Sequence, residues 1–124
     1  MRLLLDTHAY IWWQADDARL GPATRRLITQ AERAFISIVS AWKATIKASL
    51  DRLTIPEPFE TSIDASGFEK LDLTFRHVEE LRALPRHHQD PFDRMLICQA
   101  RVEGLTLVSQ DRRFAPYGLS VIWA

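Results

Sequence analysis

The chain has little of what staples, bends or anchors a protein. Its 124 residues include one cysteine, Cys98. A lone thiol excludes an intramolecular disulfide and a cysteine-based zinc site. Glycines number four and prolines six, and no Gly- or Pro-rich linker divides the chain, so a single domain over residues 1–124 is expected. No apolar run approaches the ~20 residues of a membrane span. Leu3-Leu4-Leu5 ends at Asp6, too short for the apolar part of a signal peptide. A soluble, cytoplasmic protein without membrane association is the expectation. No excess of either charge exists: sixteen Lys+Arg face sixteen Asp+Glu. Recruitment of nucleic acid by overall charge is thereby excluded, although local basic patches are not. Ser49, Ser109 and His77 form no recognisable nucleophile–base pattern, which leaves a hydrolase triad without support.

What is present is an alternation of strand-like and helix-like segments. Leu3–Leu5 is a continuous apolar run, the pattern of a strand covered on both faces. Thr7–Ala15 reads as a helix, and Pro22 suits the first turn of a second that runs to about Glu32. Ala34–Ser37 is a strand candidate. Ser37 or Ser40 can cap a third helix, on which Val39, Trp42, Ile46, Leu50 and Leu53 recur at spacings of three and four. Phe59–Ser66 reads as a helix ending at Gly67, Phe68–Leu73 as a strand, and Thr74 as the cap of a helix carrying Val78, Leu81 and Leu84. Asp90-Pro91-Phe92-Asp93 is the best-defined helix start, with a capping Asp and a Pro at the first helical position. That helix runs to about Glu103 and stops at Gly104. Leu105–Val108 and Leu119–Trp123 are the last strands, the second following a turn at Pro116-Tyr117-Gly118. This order implies an α/β fold with a mainly parallel central sheet. Ligands of such sheets bind outside the carboxyl ends of the strands.

Four acids fall at such places. Asp6 directly follows the first apolar strand, Asp90 and Asp93 open a helix, and Asp111 follows the Leu105–Val108 strand by three residues. Held close together, carboxylates repel one another unless a cation or protons intervene. Oxygen-only ligands select a hard cation, Mg²⁺ or Mn²⁺. Each acid also has a plainer role: Asp90 and Asp93 as helix caps, Asp111 as a turn former. Asp6 is harder to explain that way, because a carboxylate after three leucines is partly desolvated and needs a partner. His87-His88 lies in a polar loop, where metal ligation is one role and a solvated or RNA-facing role the favoured one, and His8 reads as a residue that orients Asp6 or caps. Trp12, Trp13 and Trp42 read as core or dimer-interface residues, and Cys98 as a small apolar group. Basic residues cluster at Arg25-Arg26, Lys43 and Lys47, Arg86, Arg94 and Arg112-Arg113, several beside the acids, which would let a neutral protein hold a polyanion.

These residues carry a family resemblance. Met1-Arg2-Leu3-Leu4-Leu5-Asp6-Thr7-His8 with Trp12-Trp13, then Ser40-Ala41-Trp42 and Ile46-Lys47-Ala48-Ser49-Leu50, and above all Asp90-Pro91-Phe92-Asp93-Arg94-Met95-Leu96-Ile97, with Gly104-Leu105-Thr106-Leu107-Val108 and Asp111, resemble PIN-domain ribonucleases of the VapC toxin type. The resemblance spans essentially the whole chain in order. It implies a PIN-like three-layer sandwich with Mg²⁺ or Mn²⁺ held by Asp6, Asp90, Asp93 and Asp111. It implies hydrolysis of RNA phosphodiesters at Asp6, Asp93 and Asp111, a homodimer, and a VapB-like antitoxin partner. One position departs from the pattern. Where the family has Glu directly after the Trp of the third helix, this chain has Lys43. An ammonium has no lone pair for a cation, so impaired activity is expected, with the Lys43 ammonium placed among Asp6, Asp93 and Asp111. The alternative is a catalytically inactive PIN-like module that still dimerises and binds its antitoxin. A haloacid-dehalogenase-type phosphatase would need a second Asp where His8 stands, and a response-regulator receiver would need an acid pair ahead of a mid-chain Asp.

Overall fold

In the computed structural model, which describes residues 1–124, five strands form one sheet in the order β3-β2-β1-β4-β5, every neighbouring pair parallel. The strands are β1 (Arg2–Leu5), β2 (Arg33–Ser37), β3 (Glu69–Leu71), β4 (Thr106–Ser109) and β5 (Val121–Trp123). Between them run α1 (Thr7–Gln14), α2 (Pro22–Gln30), α3 (Ile38–Ser49), α4 (Phe59–Ala65), α5 (Phe75–Glu80) and α6 (Pro91–Glu103). Short 3-10 segments occupy Leu81–Ala83 and Arg112–Tyr117. The sheet is wholly parallel, as the alternating order of elements implies.

Period-two alternation splits the apolar residues of the sheet between two layers of helix. Leu3, Leu5, Ile36 and Val108 face Ala9, Tyr10 and Trp12 of α1 and Phe59 and Ile63 of α4. Leu4, Phe35 and Leu107 face Leu96, Ile97 and Ala100 of α6 together with Leu84 and Phe114. Cys98 packs with this second group and is fully buried. Burial on both sides is why β1 reads as an unbroken leucine run. The helix caps fall where the residue types place them. Ser37 caps α3 by accepting from the Val39 amide at 3.0 Å. Asp90 caps α6, and Gly104 at φ 67° ends it in the left-handed conformation that favours glycine.

Three expectations are refined. The apolar recurrence on α3, open to a core or an interface role at Trp42, does not face the core. Val39 and Ala44 are buried, but Trp42, Ile46 and Leu50 are exposed, as is Ile38, and α3 ends before Leu53. Beyond the cap at Thr74, α5 is one short helix that tightens into a 3-10 turn at Leu81, and Val78 is exposed. The predicted strands over Phe68–Leu73 and Leu119–Trp123 shorten to three residues each. These are the two edge strands, which pair on one side only.

Candidate active site

Strand order reverses at β1, with β2 on one side and β4 on the other. The crevice beyond the carboxyl ends of β1 and β4 is therefore a topological switch point, where open α/β sheets bind ligands. Asp6 leaves β1 there with its amide still donating to the Val108 carbonyl at 3.0 Å. Its Oδ1 accepts from the Ala9 amide at 2.9 Å, capping α1, and its Oδ2 accepts from Ser109 Oγ at 2.5 Å. Ser109 Oγ also accepts from the Asp111 amide at 2.9 Å. One hydroxyl, 103 residues along the chain from Asp6, thus ties the first acid to the last.

Asp90 and Asp93 reach the crevice from the start of α6. Asp90 Oδ1 accepts from the amides of Phe92 and Asp93 at 2.8 and 3.0 Å. Lys43 reaches the same point from α3. Its Nζ donates to both oxygens of Asp93 at 3.1 Å and lies 3.2 Å from Asp90 Oδ2. The expectation for Lys43 is therefore corrected in detail. Its ammonium meets Asp93 and Asp90, while Ser109 holds Asp6, and Arg113 and His88 hold Asp111. Arg113 clamps Asp111 through Nε at 2.9 Å and Nη2 at 2.7 Å.

His88 is the second correction. It is not solvated but 1% exposed. Its Nδ1 accepts from the Asp90 amide at 3.1 Å. The proton of the neutral ring therefore sits on Nε2, 3.1 Å from Asp93 Oδ2 and 3.2 Å from Asp111 Oδ2. His88, Asp93 and Asp111 bring ligand atoms within 4.8 Å of one another, a group able to hold a metal ion. In this tautomer His88 offers the carboxylates a donor instead of offering a cation a lone pair. His87, by contrast, is exposed, with its ring edge-on to Tyr117.

Burial and charge set the protonation of the cluster. Burial pushes Asp6 up to about 6, although the Ser109 and Ala9 hydrogen bonds oppose it. Burial also raises Asp93, against the pull of Lys43. Lys43 is drawn down by burial, but Asp93 and Asp90 outweigh this and leave it raised, so it stays an ammonium. Burial works against the charged form of Asp90 too, yet its backbone donors and Lys43 hold it low. The Arg113 guanidinium keeps Asp111 far below the usual carboxylate range.

All four acids line one cleft of about 360 Å³, together with Thr7, His8, Arg19, Lys43, Lys47 and Arg113 among others. The structure thus brings together every acid singled out in the sequence, and Lys43 with them. Sequence reasoning missed the role of Ser109 and ranked a solvated or RNA-facing His88 above one among the acids. Their only signals were placement, Ser109 two residues before Asp111 and His88 two before Asp90. Of the tryptophans, Trp12 is buried and lines this cleft, Trp13 packs edge-on against Phe68, and Trp42 is 58% exposed with its ring edge-on to Phe92.

Residues 3–118 match the PIN domain family model. The chain belongs to the PIN-domain family. This PIN domain is 28% identical over 114 residues to Ribonuclease VapC22 of Mycobacterium tuberculosis, a match covering 90% of this chain and 88% of that protein. Two solved structures share the fold. VapBC2 of Rickettsia felis, bound to a DNA fragment from its promoter, superposes with a TM-score of 0.73 at 16% identity over 98% of both chains. The sarcin–ricin loop cleaving toxin VapC20 of M. tuberculosis gives 0.63 at 15% identity, over 94% of this PIN domain and 95% of VapC20. No helix of this PIN domain is long and apolar enough to cross a membrane.

Proposed function

We propose that this PIN domain is the toxin of a type II toxin–antitoxin pair, an Mg²⁺- or Mn²⁺-dependent endoribonuclease whose activity Lys43 restrains. The observation that carries the reading is four carboxylates on one cleft at the switch point, one of them neutralised by a lysine of the chain itself. The donor set fits a hard cation, since Asp6, Asp93 and Asp111, with Asp90 beside them, offer only oxygen. Thr7 Oγ1 supports the fit. It is buried in the wall of the same cleft and has no protein partner. When bound, the cation supplies charge neutralisation at a phosphodiester and activation of a water.

The protein's own part is to hold these acids still. Ser109 fixes the spacing of Asp6 and Asp111, and His88 that of Asp93 and Asp111. Lys43 supplies a unit of positive charge to Asp93 and Asp90, so it competes with a cation for their oxygens. The test compares the protein with its Lys43→Glu variant. Mn²⁺ affinity is read by calorimetry, and cleavage is read on a structured RNA. Tighter metal binding and faster cleavage by the variant are expected. Equal values for both proteins would remove Lys43 from the account, and no cleavage by either would leave an inactive binding module.

Two partners belong to the same reading. The first is a VapB-like antitoxin, for which the VapBC complexes sharing this fold are the support. The second is another copy of this chain. The outward apolar face of α3 is the support here: Ile38 and Trp42 share a surface hollow with Leu73, and Ile46 and Leu50 continue the stripe. Apolar stripes of this kind mark association surfaces.

A further inference from the structure

The cleft of the four acids has a lining that is formally neutral. Asp6, Asp90, Asp93 and Asp111 are matched there by Arg19, Lys43, Lys47 and Arg113. With no net charge over the whole chain, neither the site nor the molecule draws in a polyanion. A second cleft, of about 480 Å³, has His88 in its lining. It is lined by Arg82, Arg86 and Arg94 and by no carboxylate, over an apolar base that includes Leu81 and Leu84. Arg82 and Arg86 are exposed. Arg94 donates through Nη1 to the Pro85 carbonyl at 3.0 Å, which steadies its guanidinium and leaves its other N–H groups free. Two nearby acids are engaged elsewhere, Glu80 with Arg101 and Asp90 with Lys43.

His88 links the arginine cleft to the acids of the first. His88 Nε2 touches Asp93 and Asp111, while the residue also lines the arginine cleft. We propose that the Arg82–Arg86–Arg94 cleft binds backbone phosphates of a single-stranded RNA and leads that strand past His88 to the acid cluster. The proposal rests on the RNA-directed reading above and assigns it a substrate track. Guanidinium forks pair with phosphate oxygens two at a time, and arginine planes with apolar neighbours also accept unstacked bases. An acidic peptide would satisfy the arginines as well, but it would bring nothing for the adjoining acids to act on. RNA brings both the anionic backbone and the phosphodiester.

The experiment measures binding of a fluorescent fifteen-nucleotide single-stranded RNA by anisotropy, in EDTA so that nothing is cut. The protein is compared with an Arg82→Glu/Arg86→Glu double variant and with Arg26→Glu, an exposed charge reversal outside the cleft. Thermal unfolding confirms that all three are folded. The double variant is expected to bind about tenfold more weakly or worse, with the salt slope shallower by ~0.7 for each phosphate that is no longer neutralised. Arg26→Glu should stay within about twofold of the parent. Unchanged RNA affinity in the double variant overturns the proposal. So does a polyglutamate peptide that binds the parent as tightly as RNA and loses affinity equally in the double variant. The two readings fail separately. If the arginines govern RNA affinity but Lys43→Glu protein with Mn²⁺ does not cleave, the track stands and the ribonuclease reading falls. Cleavage with no effect of the arginines gives the reverse.

Discussion

The Lys43 ammonium stands 3.1 Å from both carboxylate oxygens of Asp93. Both side chains are more than nine-tenths buried. Their pairing joins α3 to the first turn of α6, so one substitution on α3 alters the charge of a site built mostly from other elements. Removing one partner of a buried pair is costlier than the pair is valuable, because the other charge is left without compensation.

That asymmetry gives the first prediction. Lys43→Met should lower unfolding stability by about 3 kcal/mol in urea titrations, and Lys43→Glu by at least as much without metal. Millimolar Mn²⁺ should recover much of the loss in Lys43→Glu, since a ligand that binds only the folded state stabilises it. Lys43→Met should recover less, because it adds no carboxylate. Identical melting curves for the two variants with and without Mn²⁺ would contradict the metal-site reading.

Ser109 is predicted to matter more than an ordinary core hydroxyl. Ser109→Ala removes the donor to Asp6 and the acceptor for the Asp111 amide together. A loss of about 2 kcal/mol is expected from leaving these buried groups unsatisfied. Ser109→Thr should retain most of the stability, because it keeps the oxygen. A loss in Thr equal to that in Ala would mean the hydroxyl is not the cause.

Asp90 has two roles that substitution can separate. Asp90→Asn keeps an oxygen for the Phe92 and Asp93 amides, whereas Asp90→Ala loses the cap at a cost of about 1 kcal/mol. Both weaken the hold on Lys43. The difference between them, read by chemical denaturation, should therefore be about the value of the cap alone. No difference would show that capping contributes nothing to α6.

The α3 face yields a prediction about assembly. Trp42→Ser with Ile46→Ser should shift sedimentation toward the monomer while leaving thermal stability at low concentration nearly unchanged, since both residues are exposed in the single chain. A large loss of monomer stability would place them in a core instead.

The parts of this PIN domain legible in its sequence are those where local chemistry and final environment agree. Leu3–Leu5 had to lie between two layers because it has no polar face. Asp90-Pro91 had to start a helix because its side chain and ring suit only that place. Asp6, Asp93 and Asp111 could be placed near strand ends and a helix start, because those boundaries are read from the same pattern. The α3 stripe was legible as apolar but not as outward-facing. Periodicity shows that a helix has an apolar side, yet an interface and a core satisfy it equally. His88 looked like a solvated loop residue because nothing in Arg86-His87-His88-Gln89 shows that one ring turns inward and its neighbour outward.

The sequence by itself determined the alternation of elements, the two-sided burial of the sheet, the family, and the four acids that meet. Those follow from short-range causes, namely side-chain polarity, capping and chain direction. Only the tertiary structure decided which groups neutralise those acids. Lys43 is 50 residues from Asp93, Ser109 is 103 from Asp6 and His88 is 23 from Asp111. A buried charge takes whichever partner the packing brings within about 3 Å, because desolvation makes an unpaired state expensive, and that choice is set by how α3, α6 and β4 converge on one crevice.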